Sequence, residues 1–162
     1  MPPPNLVLDG VINVMDKIDK KIIQILQKNA RATISQMSEE VSLSMPAVSE
    51  RVKKLEANGI IKQYTAIINP DKVKKDFKAI IYLDFNLPGK EQEFLDNIKK
   101  EPEILECFSV TGAFDYYMKV CTENASTMQE LLERIKANKG VTKTQSLIVL
   151  TSVIDKPTVE LI

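Results

Sequence analysis

Two stretches of this chain carry residue types from which binding chemistry is built. The first is VTGAFDYYMK, Val110 to Lys119. Gly112 and Ala113 at a tight turn bring backbone N–H groups into the open, and Asp115 follows within reach. Thr111 and Phe114 complete the turn. Backbone donors hold a carboxylate and an aspartate holds an ammonium, so the pattern suits an α-amino acid. The competing reading is a plain hairpin turn with Asp115 bonded to the local backbone. Thr144 on a later strand is a further lining candidate, with Thr142 and Ser146 beside it. The second stretch is SMPAVSERVKK, Ser44 to Lys54. Read as a helix, it turns Pro46, Ala47, Glu50, Lys53 and Lys54 outward, with Ser49 and Arg51 on the flanks. Arg51, Lys53 and Lys54 suit phosphate oxygens, and the small residues near Ser44 allow close approach to base edges. The competing reading is an ordinary solvated helix face.

Other chemistry finds little support. The chain has no histidine, two cysteines (Cys107 and Cys121), and no Gly-rich phosphate loop. Both cysteines fall in predicted strands and read as buried free thiols. No Cys/His spacing fits a metal site, so neither metal nor cofactor is expected. Glu39-Glu40 is a carboxylate pair on an exposed helix face, and catalysis is not expected.

The 162 residues allow one average domain or two small ones, and 44% hydrophobic residues support a real core. No apolar run approaches the roughly 20 residues of a membrane span. The N-terminus lacks a basic region followed by an apolar core, so no signal peptide is expected and the cytoplasm is the expected location. Basic and acidic residues are 22 each. Between Asp16 and Lys62 there are nine basic and six acidic residues, a net of +3. So small an excess predicts weak DNA binding by one copy and effective binding by a dimer or larger assembly.

The elements that must position these residues follow from periodicity. Ile18, Ile22, Ile25 and Leu26 share a helical stripe over Asp16 to Lys28, with Asp16 and Asp19 at its N-terminal end. Thr33 and Gln36 form a T-x-x-Q capping box that opens a second helix, with Ile34, Met37 and Val41 inward. Val41 to Ser44 is a turn in which Leu43 plugs the angle between helices. Ser44 caps a third helix, Pro46 sits in its first turn, and Val48, Val52 and Leu55 face inward. Asn58-Gly59 stops it. Three helices in this order make a helix-turn-helix, which lays one helix in the major groove of double-stranded DNA.

The β-branched run Gly59 to Asn69 predicts a strand, ended by a turn at Asn69-Pro70-Asp71. Beyond it the predicted elements are a strand over Phe77 to Leu87, a helix over Glu91 to Lys100, strands over Ile104 to Thr111 and Phe114 to Cys121, a helix over Ser126 to Asn138, and a strand over Val141 to Val153. The order β-α-β-β-α-β predicts a ferredoxin-like sandwich with both helices on one sheet face. The open face predicts pairing with a second copy. The fold class is therefore α+β, a winged-type helix-turn-helix domain followed by a ferredoxin-like domain.

The stretches IDKKIIQILQKNAR (Ile18 to Arg31) and LSMPAVSERVKKLEANGII (Leu43 to Ile61) resemble the Lrp/AsnC, or feast/famine, family of transcription regulators. Asn69-Pro70 and TGAFDYY, Thr111 to Tyr117, fit the same pattern, and the resemblance spans about Asp16 to Val153. The expected organisation is an N-terminal arm (1–15), a DNA-binding domain (16–60), a linker strand (61–75), a ligand-binding and oligomerisation domain (76–154) and a tail (155–162), and the resemblance implies that the linker strand pairs with its copy in a second subunit. It implies a sequence-specific regulator that dimerises and assembles into a tetramer or octamer. A small amino-acid effector would sit at Thr111 to Asp115 between dimers and shift that assembly. The alternative is an architectural DNA-binding protein with little sequence preference and no effector.

Overall fold

A computed structural model describes residues 15–159 and 161. The expected N-terminal arm lies outside them, apart from Met15. The described residues divide into two compact units, 15–67 with 156–159 and 161, and 68–155.

The first unit holds three helices. Helix α1, Lys17–Lys28, starts at Asp16, whose carboxylate accepts from the N–H groups of Ile18 and Asp19 while Asp19 reaches back to the Asp16 N–H. Helix α2, Ile34–Val41, opens on the expected Thr33–Gln36 capping box. The chain then turns through Ser42 in the left-handed region. Helix α3, Met45–Ala57, is capped by Ser44, whose hydroxyl accepts from the Ala47 N–H at 3.4 Å. Ile22, Met37, Val48, Val52 and Leu55 form one buried cluster, and Leu43 packs against it from the turn. α2 is too short to persist alone, so this cluster holds it.

The end of the chain returns to this unit. The Gln27 side-chain amide donates to the Val159 carbonyl at 2.7 Å and to the Thr158 hydroxyl at 3.3 Å, and Leu161 joins the apolar cluster. The tail expected over 155–162 is thus a docked segment. Ending the chain at Asp155 should lower the melting temperature of the first unit by several degrees, about 1 kcal/mol for one partly buried leucine. Differential scanning calorimetry checks this, and an unchanged transition would refute the docking.

Within this one chain the strand expected over Gly59 to Asn69 finds no ladder partner among the described residues. Residues 62–69 have extended or irregular backbone, and Ile67 and Ile68 are 71% and 61% exposed. β-branched composition reports fitness for a pleated, half-buried surface, and a segment with nothing beside it makes no ladder. The turn expected after it does form. The Asn69 side chain accepts from the Asp71 N–H, opening a short 3₁₀ turn over Pro70–Val73.

The second unit contains β1 (Phe77–Phe85), α4 (Glu91–Ile98), β2 (Ile104–Ser109), β3 (Tyr116–Thr122), α5 (Ala125–Lys136) and β4 (Val141–Ile148). The strands lie in the order β2-β3-β1-β4 with every pairing antiparallel. This is the expected ferredoxin-like sandwich. Ala79, Ile81 and Leu83 of β1, Met118 and Val120 of β3, Phe94 and Ile98 of α4, and Leu131 and Ile135 of α5 make one core, so both helices cover the same face. Asn124 caps α5 with a full capping box. β4 stops at Ile148, five residues short of the expected Val153. On the other face Tyr82 meets Tyr117 and Phe114 at ring-centroid distances of 5.6 and 5.3 Å, and Phe108 and Leu147 remain about half exposed. That open apolar face is as the alternation predicts.

Candidate DNA interface and effector turn

The two sets of candidate residues lie in different units and are taken in turn. In the first unit, α3 buries Val48, Val52 and Leu55. Ser44, Pro46, Glu50, Lys53 and Lys54 are exposed on its remaining surface, and Ala47 and Ser49 are half-buried at its flanks. Lys54 Nζ pairs with Glu50 across one helical turn at 3.0 Å, leaving both side chains more than two-thirds exposed. Such a pair contributes little and yields readily to a phosphate.

Arg51 has another position. Its Nη1 donates to Asp16 Oδ2 and to Asp19 Oδ1, both at 2.7 Å. These are the two carboxylates of the α1 capping box. Hydrogen bonds from Asp19 and then Asp16 raise the guanidinium pKa, while the Asp19 N–H, followed by Arg51, holds Asp16 below its ordinary 3.8. Arg51 therefore clasps α3 to the start of α1. Expected at a phosphate, it is spent within the unit.

Met45 lies outside the set of residues expected at this surface. It opens α3 next to the Ser44 cap and is 52% exposed. Its three-residue spacing to Val48 reads as core, but the end of the helix projects beyond the buried cluster. An exposed methionine there suits the methyl group of thymine. Tyr64 carries no signal in the sequence either. Tyr64 is 48% exposed, and the partial desolvation of its ring, followed by a 2.9 Å hydrogen bond to Glu56, pushes its hydroxyl up to about 12. The protonated form is thus favoured by folding, a contribution present below pH 10 and lost as pH rises through 12. Absorbance titration should show this tyrosine ionising about two units late, and Tyr64→Phe should remove that step.

In the second unit, Thr111, Gly112, Ala113 and Asp115 are exposed at the β2–β3 turn, with Gly112 at φ +132°. Thr111 to Phe114 donate no backbone hydrogen bond among the described residues. Asp115 is partly committed. Its backbone N–H donates to Leu83, its carbonyl accepts from Val110, and its Oδ2 accepts from the Phe85 N–H at 2.8 Å. One carboxylate oxygen thus ties the turn to the end of β1, and the other accepts no hydrogen bond among the described residues. Phe114 stacks on Tyr82 with Lys143 Nζ 4.7 Å from its ring centroid. Thr144 sits opposite Leu83 on β4, a strand away from the turn. Thr142 is held by the Asp84 carbonyl. A cleft of about 250 Å³ opens between Asp115, Tyr116, Ser109 and the loop Phe85–Gly89.

Among the described residues no His/Cys/Asp/Glu cluster could hold a metal, and no helix is long and apolar enough to cross a membrane. Both cysteines are free, and the Cys121 thiol donates to the Lys75 carbonyl.

Comparison with known proteins agrees with this division. Residues 15–62 match the winged helix-turn-helix DNA-binding family, and residues 80–159 match the Lrp/AsnC ligand binding domain. The chain is 34% identical to the HTH-type transcriptional regulator FL11 of Pyrococcus furiosus, over 91% of this chain and 96% of that one. It is 33% identical to the leucine-responsive regulatory protein of Escherichia coli K12, over 86% and 87%. The crystal structure of the transcriptional regulator NMB0573/L-Met complex of Neisseria meningitidis superposes with a TM-score of 0.84 at 32% identity, covering 89% and 95%. A three-helix unit with a solvent-facing α3, a ferredoxin-like unit following it in the chain, and this likeness along both place the chain in the Lrp/AsnC family of transcriptional regulators.

Proposed function

We propose that this protein is a sequence-specific DNA-binding regulator whose assembly responds to an amino acid. The observation that carries the reading is the exposed face of α3, set by its Ser44 cap and its buried stripe, in a chain that also carries the Thr111–Asp115 turn. Lys53 and Lys54 meet phosphates, and Met45, Pro46, Ala47 and Ser49 face base edges. The open sheet face, with Tyr82, Phe108, Tyr117 and Leu147, pairs two copies, so two recognition helices bind half-sites about 34–36 Å or a multiple apart. The turn's N–H groups take the effector carboxylate and the free oxygen of Asp115 takes its ammonium. Effector bound between dimers shifts the balance among oligomers, and that changes the spacing of the helices.

Fluorescence anisotropy against selected and random duplexes tests the first part. The Lys53→Ala/Lys54→Ala variant should bind all duplexes more weakly and reduce the salt slope by about 0.9 for each phosphate no longer neutralised. An unchanged slope would refute the groove assignment. A thermal-shift screen of the twenty amino acids tests the second part, and stabilisation by none would refute sensing. Equal affinity for selected and random DNA with no effector would instead mark an architectural role.

A further inference from the structure

The first two turns of α3 offer a major groove few ways to tell one base pair from another. Met45, Pro46, Ala47, Ser49, Glu50 and Arg51 are exposed or half-buried there. Guanine is read by the paired donors of Arg or by Lys. Arg51 is committed to Asp16 and Asp19 at 2.7 Å each, and Lys53 and Lys54 lie beyond these two turns. Lys53 stands about 12 Å along the axis from Met45, at a rise of about 1.5 Å per residue. Pro46 brings no N–H, and Ala47 brings only a methyl group. The Glu50 carboxylate accepts and does not donate, so it has nothing for the guanine acceptors, and it pairs with Lys54 at 3.0 Å. The hydroxyls of Ser44 and Ser49 bond to donor and acceptor edges alike.

Apolar contact is what remains. Met45 is the first residue of α3 and is 52% exposed, whereas Val48, Val52 and Leu55 of the same helix are buried. The N-terminal residues of a recognition helix are the ones that meet base edges. Met45, Ser49 and Lys53 follow at steps of four and share one stripe, so a phosphate at Lys53 leaves Met45 at the groove end of that stripe. A methionine is unbranched, polarizable and free to turn about three bonds, which suits it to a small apolar target. The apolar group on the major-groove edges is the C5 methyl of thymine. Resting on the reading of α3 as the recognition helix, we propose that Met45 is its specificity-determining residue and reads a thymine methyl in each half-site. The small residues beside it let the backbone approach closely enough for that contact.

The test uses the full chain and a duplex that it selects from a random pool. Each thymine of that duplex is replaced in turn by uracil, which lacks only the C5 methyl. One position in each half-site should lose about fourfold in affinity, the worth of one buried methyl-sized group, and the two together about fifteenfold. At the same position 5-methylcytosine should bind about fourfold tighter than cytosine, because it returns the methyl alone. Met45→Ala should abolish both differences and leave the salt slope unchanged. Met45→Leu should keep them, and Met45→Gln should move the preference there to adenine, whose N6 and N7 a glutamine amide reads. Met45 is exposed, so all three variants should melt within about 4 °C of the parent chain. Uracil sensitivity that survives in Met45→Ala, or a selected duplex with no sensitive thymine, would overturn the assignment and leave sequence-specific binding standing. Failure to select any duplex over random DNA would overturn both. A Met45→Ala variant that changes only the oligomeric state would place Met45 in a contact between copies and overturn the proposal.

Discussion

Replacing Arg51 with alanine should weaken DNA binding by about tenfold without changing its salt dependence. A residue that neutralised a phosphate directly would behave otherwise, because its removal lowers the slope of log affinity against log salt by about 0.9. Arg51 instead holds Asp16 and Asp19 at 2.7 Å each, with its side chain 31% exposed and Asp19 19% exposed. Its loss frees α3 to tilt against α1. A tilt at the N-terminal end of a recognition helix spoils base contacts worth about 1–3 kcal/mol each, which is the source of the tenfold figure. Arg51→Lys should recover little, because a single ammonium does not reproduce a guanidinium that reaches two carboxylates.

The partner variants separate the two roles of Arg51 further. Asp16→Asn/Asp19→Asn should reproduce the loss of affinity, although it removes negative charge near DNA and would strengthen a purely electrostatic contact. The pH dependence has a fixed sign. Asp16 is held below its ordinary value in the folded chain, so its contribution is fully present above pH 3.8 and is lost as pH falls through the depressed value. The clasp should therefore be intact at neutral pH and fail only in acid. Anisotropy titrations across salt, with melting curves on the same samples, check all of this. A salt slope reduced by Arg51→Ala, with unchanged melting, would return the residue to the phosphate backbone.

Arg51 also shows where sequence reading reaches its limit. Counting residues around α3 gives its buried stripe and exposed arc, because those depend on neighbours three and four positions away. It gives no hint of a partner on another helix. The caps are legible for the same local reason. Thr33–Gln36 and Ser44 are written in adjacent residues and stand in the structure where the motif puts them. Gly59 to Asn69 differs in kind, since its composition favours a strand whose expected partner is its own copy in a second subunit, and one chain alone gives it no ladder. The order of elements in the second unit and its apolar alternation determine the topology. The register does not follow from them, and it is the register that sets Ser109 opposite Tyr116, where the Tyr116 hydroxyl meets Glu91 at the start of α4.

Substituting Gly140 with alanine should lower the melting temperature of the second unit by about 8–40 °C. Gly140 has φ +99°, where a side chain costs roughly 1–2 kcal/mol. An added Cβ would also stand 2.6 Å from Phe85 Cε2 and 2.8 Å from Leu87 Cβ, distances that real Cβ atoms do not tolerate. Overpacking of that kind costs about 1–3 kcal/mol more, and each kcal/mol moves the transition of a domain this size by about 4–8 °C. Phe85 cannot easily yield. Its ring stacks on the buried Phe94 at 4.8 Å, its N–H is held by Asp115, and Asn86 donates to the Gly140 carbonyl. Gly89→Ala is the control, since Gly89 also has positive φ but nothing lies within 4 Å of an added Cβ. The difference between the two variants isolates the clash from the backbone cost. Because Phe85, Leu87 and Gly89 also wall the polar cleft, Gly140→Ala should, on the proposed effector reading, blunt any stabilisation by amino acids at temperatures where the unit is still folded. Scanning calorimetry with and without each amino acid that stabilises the parent chain reads both effects. Equal destabilisation by the two variants would mean that the loop moves aside freely, and that the cleft is not braced by the α5–β4 turn.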